Sequence, residues 1–157
     1  MHPHRLSSAS SDKISAHAKY SPSPDFPGGA TTHRLLRVFL VEDSAHVRDL
    51  LLDFLHVPGE VEIVGYADTE DEAVMAIIAD PVDAVIVDLQ LREGGGMAVI
   101  ERLRKADLHP PPRLIVFTNH PFPEIKRRAM QLGADYFFDK SADYDSVRAT
   151  LQALRES

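Results

Sequence analysis

The sequence predicts an α/β fold built on a parallel sheet, and three observations carry that prediction. From Arg34 onward, short apolar runs alternate with amphipathic segments, giving five strand–helix pairs. Two of the runs, residues 84–87 (AVIV) and 114–117 (LIVF), are apolar throughout, as strands buried on both faces are. Four of the five runs end on a polar residue, so that a row of functional groups is expected along one sheet edge.

The first strand is expected over residues 35–41 (LLRVFLV). Ser44 is a helix N-cap, and Val47, Leu50, Leu51, Phe54 and Leu55 then fall at i, i+3, i+4, i+7 and i+8, the apolar face of the first helix, which Pro58 and Gly59 stop. The second strand is read at 61–66 (VEIVGY). Its helix begins near Thr69 with an acidic first turn, presents Val74, Ile77 and Ile78 on one face, and closes at Asp80 and Pro81.

The β-branched run at 84–87 delivers Asp88, and a glycine run at 94–96 separates it from a helix over about 97–106. The run at 114–117 delivers Thr118; Pro121 and Pro123 then precede a helix with Ile125, Ala129 and Leu132 on one face and Gly133 at its end. The last strand, residues 136–138 (YFF), delivers Lys140, and a helix from about Asp143 shows Val147, Leu151 and Leu154 on one face. With the chain ending there, no output domain is expected.

Composition bounds the rest. A chain of 157 residues with 44% hydrophobic content suits one domain with one core. Without cysteine, disulfides, thiolate zinc sites and cysteine nucleophiles are excluded. No apolar run is long enough for a bilayer and none resembles a secretory signal, so a soluble protein of the cytoplasm, without membrane contact, is expected. Residues 1–33, with seven Ser, four Pro and four His, read as a disordered tail of net charge +1, which leaves −8 for residues 34–157. That acidity argues against a nucleic-acid surface. His2, His4, His17 and His33 lack helical pairing and read as solvated residues, not metal ligands.

The chemistry lies in Glu42, Asp43, Asp88, Thr118 and Lys140, all at the carboxyl ends of strands. Singly each has an ordinary explanation: helix-dipole complements, a loop Asp, a β-forming Thr, a surface Lys. Together they place three carboxylates in one crevice, where mutual repulsion calls for a cation, and all-oxygen ligation suits Mg²⁺, or Mn²⁺. A strand-end carboxylate beside a metal, an ammonium and a hydroxyl is suited to attack phosphorus.

In order of strands, the acidic pair, the Asp, the Thr and the Lys resemble the receiver domain family of two-component response regulators, over roughly residues 34–156. The resemblance implies a flavodoxin-like (CheY-like), doubly wound, five-stranded parallel sheet flanked by five helices, with residues 34–157 forming the receiver domain. It implies Mg²⁺ held by Asp43, Asp88 and the backbone carbonyl of Gln90, with Glu42 acting through water. Asp88 is then the phosphoacceptor, Lys140 the partner of the phosphoryl oxygens, and Thr118 and Phe137 the switch pair.

The implied function is a single-domain response regulator, phosphorylated by a histidine kinase or phosphotransfer protein. It would signal to a downstream protein as a monomer or a weak phosphorylation-dependent dimer, with no enzymatic activity beyond its own phosphorylation and dephosphorylation. The basic cluster Lys126, Arg127 and Arg128 falls on the family's partner face. Three departures stand out: Asn119 where a small residue is usual, Ser141 where Pro is usual, and Phe137 lacking a Tyr hydroxyl. A non-proline cis bond costs about 2.5–4 kcal/mol, so a trans bond or local strain is expected before Ser141. Two alternatives remain: an interaction module that takes no phosphate, and a flavin-binding or enzymatic protein on the same fold, against which the carboxylates of Glu42 and Asp43 weigh by repelling a flavin phosphate.

Overall fold

The computed structural model describes residues 34–157 and the backbone of His4 and Arg5. Five parallel strands are present, β1 (Leu36–Val41), β2 (Val61–Ala67), β3 (Ala84–Val87), β4 (Arg113–Thr118) and β5 (Tyr136–Asp139), in the spatial order β2-β1-β3-β4-β5. Helices α1 (Ala45–Leu55), α2 (Glu70–Ala79), α3 (Gly96–Lys105), α4 (Pro123–Leu132) and α5 (Tyr144–Arg155) follow the strands in turn. The expected flavodoxin-like, doubly wound sheet with five flanking helices is therefore the observed fold. One addition was not expected: His4–Arg5 pairs antiparallel with Tyr66 and Gly65 at the free edge of β2. The reading of the remainder of residues 1–33 as a disordered tail lies outside the described residues.

Alternation along the strands builds two cores. Leu36, Val38 and Leu40 of β1, Ala84 and Ile86 of β3, and Ile115 and Phe117 of β4 face Leu51 and Leu55 of α1 and Val147, Leu151 and Leu154 of α5. The intervening residues, Phe39, Val41, Val85, Val87, Leu114 and Val116, face α2, α3 and α4 on the other side. The β1–β2 register shifts between Val38 and Phe39, which leaves Val64 as the extra residue of a bulge.

Local signals set the helix ends. Ser44 Oγ accepts from the Val47 amide at 3.2 Å, as the expected N-cap, and Thr69 Oγ1 accepts from the Glu72 amide at 3.3 Å, capping the helix expected to begin near it. Pro123 stands in the first turn of α4, and Gly133 ends it at φ 119°, a conformation open to glycine. Two apolar assignments need correction. Leu50 is 42% exposed and Ile78 is 45% exposed, whereas Leu52 on α1 and Ala73 and Ala76 on α2 face the core. Among the described residues no helix is long and apolar enough to cross a membrane.

Candidate functional site

The parallel ladder carries three functional residues to one crevice at the carboxyl edge of the sheet. Each is pinned just past its strand by a hydrogen bond that its backbone amide donates to the neighbouring strand: Glu42 N to Ala67 O at 3.0 Å, Asp88 N to Val41 O at 2.9 Å, and Lys140 N to Thr118 O at 2.9 Å. Their side chains then meet. Lys140 Nζ donates to Glu42 Oε2 at 2.7 Å and to Asp88 Oδ2 at 2.9 Å, with Glu42 3%, Asp88 7% and Lys140 9% exposed.

The remaining lone pairs are partly met by the backbone. Ser44 N donates to Glu42 Oε1 at 3.2 Å, and Gln90 N to Asp88 Oδ1 at 3.3 Å. Asp43 is exposed at the rim, and its carboxylate joins those of Glu42 and Asp88 so that one oxygen from each lies within 4.8 Å of the others. Three carboxylates against one ammonium leave two negative charges when all are ionised. A divalent cation with oxygen preference fits that donor set and that charge.

Electrostatics follow from burial. Burial pushes the Glu42 carboxyl up to about 7; the hydrogen bond from Lys140 opposes this and the charge of Asp88 adds to it. For Lys140, burial works against the charged form, but the hydrogen bonds to Glu42 and Asp88 outweigh it, and the net direction is upward. The ammonium is thus charged at neutral pH. Tyr144, at the start of α5, is also raised, chiefly by burial, and feels both Lys140 and Glu42.

Thr118 is fully buried at the end of β4, and its Oγ1 accepts from the His120 amide at 3.2 Å, without a hydrogen bond to Asp88 or Lys140. Phe137 is half-buried and packs against the α2–α4 side of the core. Asn119 is exposed beside Thr118. The Lys140–Ser141 bond is not cis, as expected. Ser141 uses what a proline lacks: its amide and hydroxyl both donate to Asp139 Oδ1, at 2.9 and 2.8 Å, closing the turn after β5.

Two supporting residues were not singled out from the sequence. A Cβ at Gly96 would run into the backbone carbonyl of Asp88, so glycine is what lets the start of α3 lie against the residue carrying Asp88's carboxylate. The glycine run at 94–96 was its sequence signal, read only as a spacer. Arg48 Nη1 donates to the Glu42 carbonyl at 2.8 Å. An arginine one turn into a helix gives no sequence sign of turning back in this way.

A doubly wound parallel sheet with a lysine-bridged acidic crevice at its carboxyl edge places the chain among the flavodoxin-like α/β domains. Residues 38–152 match the family described as the response regulator receiver domain, and the chain belongs to that family.

Among solved structures, it is similar to the signal receiver domain of the putative response regulator NarL from Mycobacterium tuberculosis. The identity is 25% and the TM-score 0.71, covering 79% of this chain and 98% of that one. It is also similar to the response regulator domain of CheB from Thermotoga maritima, at 26% identity and TM-score 0.67, covering 78% and 96%. A curated relative from Methanospirillum hungatei, protein-glutamate methylesterase/protein-glutamine glutaminase 1, is 27% identical over 114 residues, 73% of this chain and 33% of the relative. The chain thus spans about one third of that relative's length.

Proposed function

We propose that this receiver domain accepts a phosphoryl group on Asp88, in a reaction that depends on Mg²⁺, from a histidine kinase or a histidine phosphotransfer protein. The observation that carries the reading is Lys140 Nζ seated between Glu42 and Asp88 beside the exposed Asp43. Asp43, Asp88 and the backbone carbonyl of Gln90 would hold the metal, with Glu42 behind them through water. Bound there, Mg²⁺ supplies charge neutralisation for the phosphoryl oxygens.

An Asp88 carboxylate oxygen attacks phosphorus, the bond from phosphorus to the donor's histidine nitrogen breaks, and the histidine leaves with that electron pair. Lys140, already in contact with Asp88, follows the new negative charge onto the phosphoryl group. Thr118 Oγ1 accepts from His120, so its own proton remains for a phosphoryl oxygen. Moving Thr118 toward that oxygen vacates space beside β5, which Phe137 fills by turning further inward.

The phosphorylated state then binds a downstream protein. The exposed Lys126, Arg127 and Arg128 of α4, with Phe122 and Met130 near them, form the surface offered on the β4–α4–β5 face. On this reading the chain's own chemistry is confined to gaining and losing its phosphoryl group.

Intact mass after incubation with acetyl phosphate, with and without Mg²⁺, tests the reading beside an Asp88→Asn variant. The expected result is a metal-dependent gain of one phosphoryl group, absent in the variant. A wild type that stays unmodified with small donors and with phosphorylated phosphotransfer proteins overturns it in favour of a module that takes no phosphate.

A further inference from the structure

We propose that Arg48 is a positioning residue of the cation site, holding the peptide between Glu42 and Asp43 so that both carboxylates face the incoming ion. The inference rests on reading Glu42, Asp43 and Asp88 as a divalent-cation site.

Arg48 lies in the first turn of α1, and helical side chains lean back toward the helix N-terminus. Its Nη1 reaches the Glu42 carbonyl at 2.8 Å, and its guanidinium carbon stands 4.2 Å from the centroid of the Tyr66 ring on β2. The plane of the guanidinium is thus fixed on one side by an aromatic face and at its tip by the carbonyl. The Glu42–Asp43 peptide is held by Arg48 on Glu42 O, and the peptide before it by Glu42 N on Ala67 O at 3.0 Å. Asp43 needs this most. Glu42 and Asp88 are anchored through their carboxylates by Lys140, whereas the Asp43 carboxylate accepts no hydrogen bond among the described residues.

Two effects of Arg48 on cation binding oppose each other. As a positive charge near the crevice it repels a cation, so deleting it should tighten binding. As the anchor of the peptide it keeps Asp43 aimed, so deleting it should loosen binding. Charge–charge repulsion at a partly exposed site is softened by water, whereas a fixed carboxylate ligand is an inner contact that geometry makes or breaks. The positioning effect therefore dominates.

The test is Mn²⁺ binding to the full, unphosphorylated chain, read by electron paramagnetic resonance of the free ion, with melting in EDTA as a control. Arg48→Met keeps the length and removes charge and donors; it is expected to bind Mn²⁺ about five- to tenfold more weakly, the scale of the net contribution of one hydrogen bond. Arg48→Lys, which keeps a donor without the planar fork, is expected between the two. Tyr66→Leu, which removes the aromatic platform, is expected to weaken binding about twofold to threefold, on the scale of a lost cation–π contact. An Arg48→Met protein that binds Mn²⁺ as tightly as the wild type, or more tightly, overturns the inference. If Arg48→Met does not fold, Tyr66→Leu decides, and unchanged affinity there overturns it. A wild type that binds no Mn²⁺ overturns the cation site itself, and the role of Arg48 with it.

Discussion

Replacing Glu42 by Gln should stabilise the metal-free protein at alkaline pH, because the native fold holds this carboxylate where its ionised form is disfavoured. Burial raises its pKa from 4.5 to about 7. Between those values the unfolded chain has lost the proton while the folded chain retains it. Stability from this group is full below about 4.5 and is lost as pH rises to about 7. At about 1.4 kcal/mol per pH unit, the loss across that window is roughly 3 kcal/mol. A glutamine escapes it but keeps only one carbonyl oxygen for two donors, Lys140 Nζ at 2.7 Å and Ser44 N at 3.2 Å. Losing one of those bonds costs about 1 kcal/mol. The variant should thus be about 2 kcal/mol more stable than the wild type at about pH 8 in EDTA. The assay is urea unfolding by far-ultraviolet circular dichroism at several pH values, where differencing the two proteins cancels the other titrating groups. Parallel stability curves, or a variant less stable at alkaline pH, would refute the reasoning.

Other consequences follow from the same geometry. Mg²⁺ needs ionised Glu42 nearby, so its apparent affinity should fall as pH drops below about 7, measured by calorimetric titration. Gly96→Ala should destabilise by about 1–3 kcal/mol, since its Cβ meets the Asp88 carbonyl and backbone must shift, and phosphoryl uptake should fall with it. Ser141→Pro should lose the two hydrogen bonds to Asp139 and cost about 1–3 kcal/mol in urea unfolding, whereas Ser141→Ala, keeping the amide, should cost under about 1 kcal/mol. Leu51→Ala should cost about 2–5 kcal/mol, but Leu50→Lys, at an exposed position, should lie within about 0.5 kcal/mol of wild type.

The fold was legible because strand identity depends on runs of residues. Residues 84–87 carry the pattern of a doubly buried strand, and the polar residues that end four of the five runs had to fall on the edge where parallel strands finish. Helix facing was less legible, since apolar spacing sets the width of a stripe and leaves its centre open. On α2, the residues that turn to the sheet include Ala73 and Ala76, whose small side chains let the helix approach closely, and the larger Ile78 is left outside. A reading that favours large apolar residues therefore rotates the helix the wrong way.

The candidate site divides along the same line. Glu42, Asp43, Asp88, Thr118 and Lys140 were each placed by the strand they follow, and the structure brings Glu42, Asp88 and Lys140 into direct contact. The way Glu42 and Asp43 share their work was not legible: adjacent residues at a strand end point to opposite sides, and only the tertiary packing shows that Glu42 is enclosed while Asp43 stands at the rim. The supporting contacts were hidden for a related reason, since each joins a side chain to a backbone atom, Arg48 to the Glu42 carbonyl and Ser141 to its own turn through Asp139. Sequence pattern encodes which side chains share a face and is silent about carbonyls. It follows that Ser141, which looks like a loss against the family's usual proline, is a different solution to the same problem. A proline would fix the turn after Lys140 through its ring, and here two hydrogen bonds to Asp139 fix it, so the ammonium still reaches both carboxylates from a trans peptide.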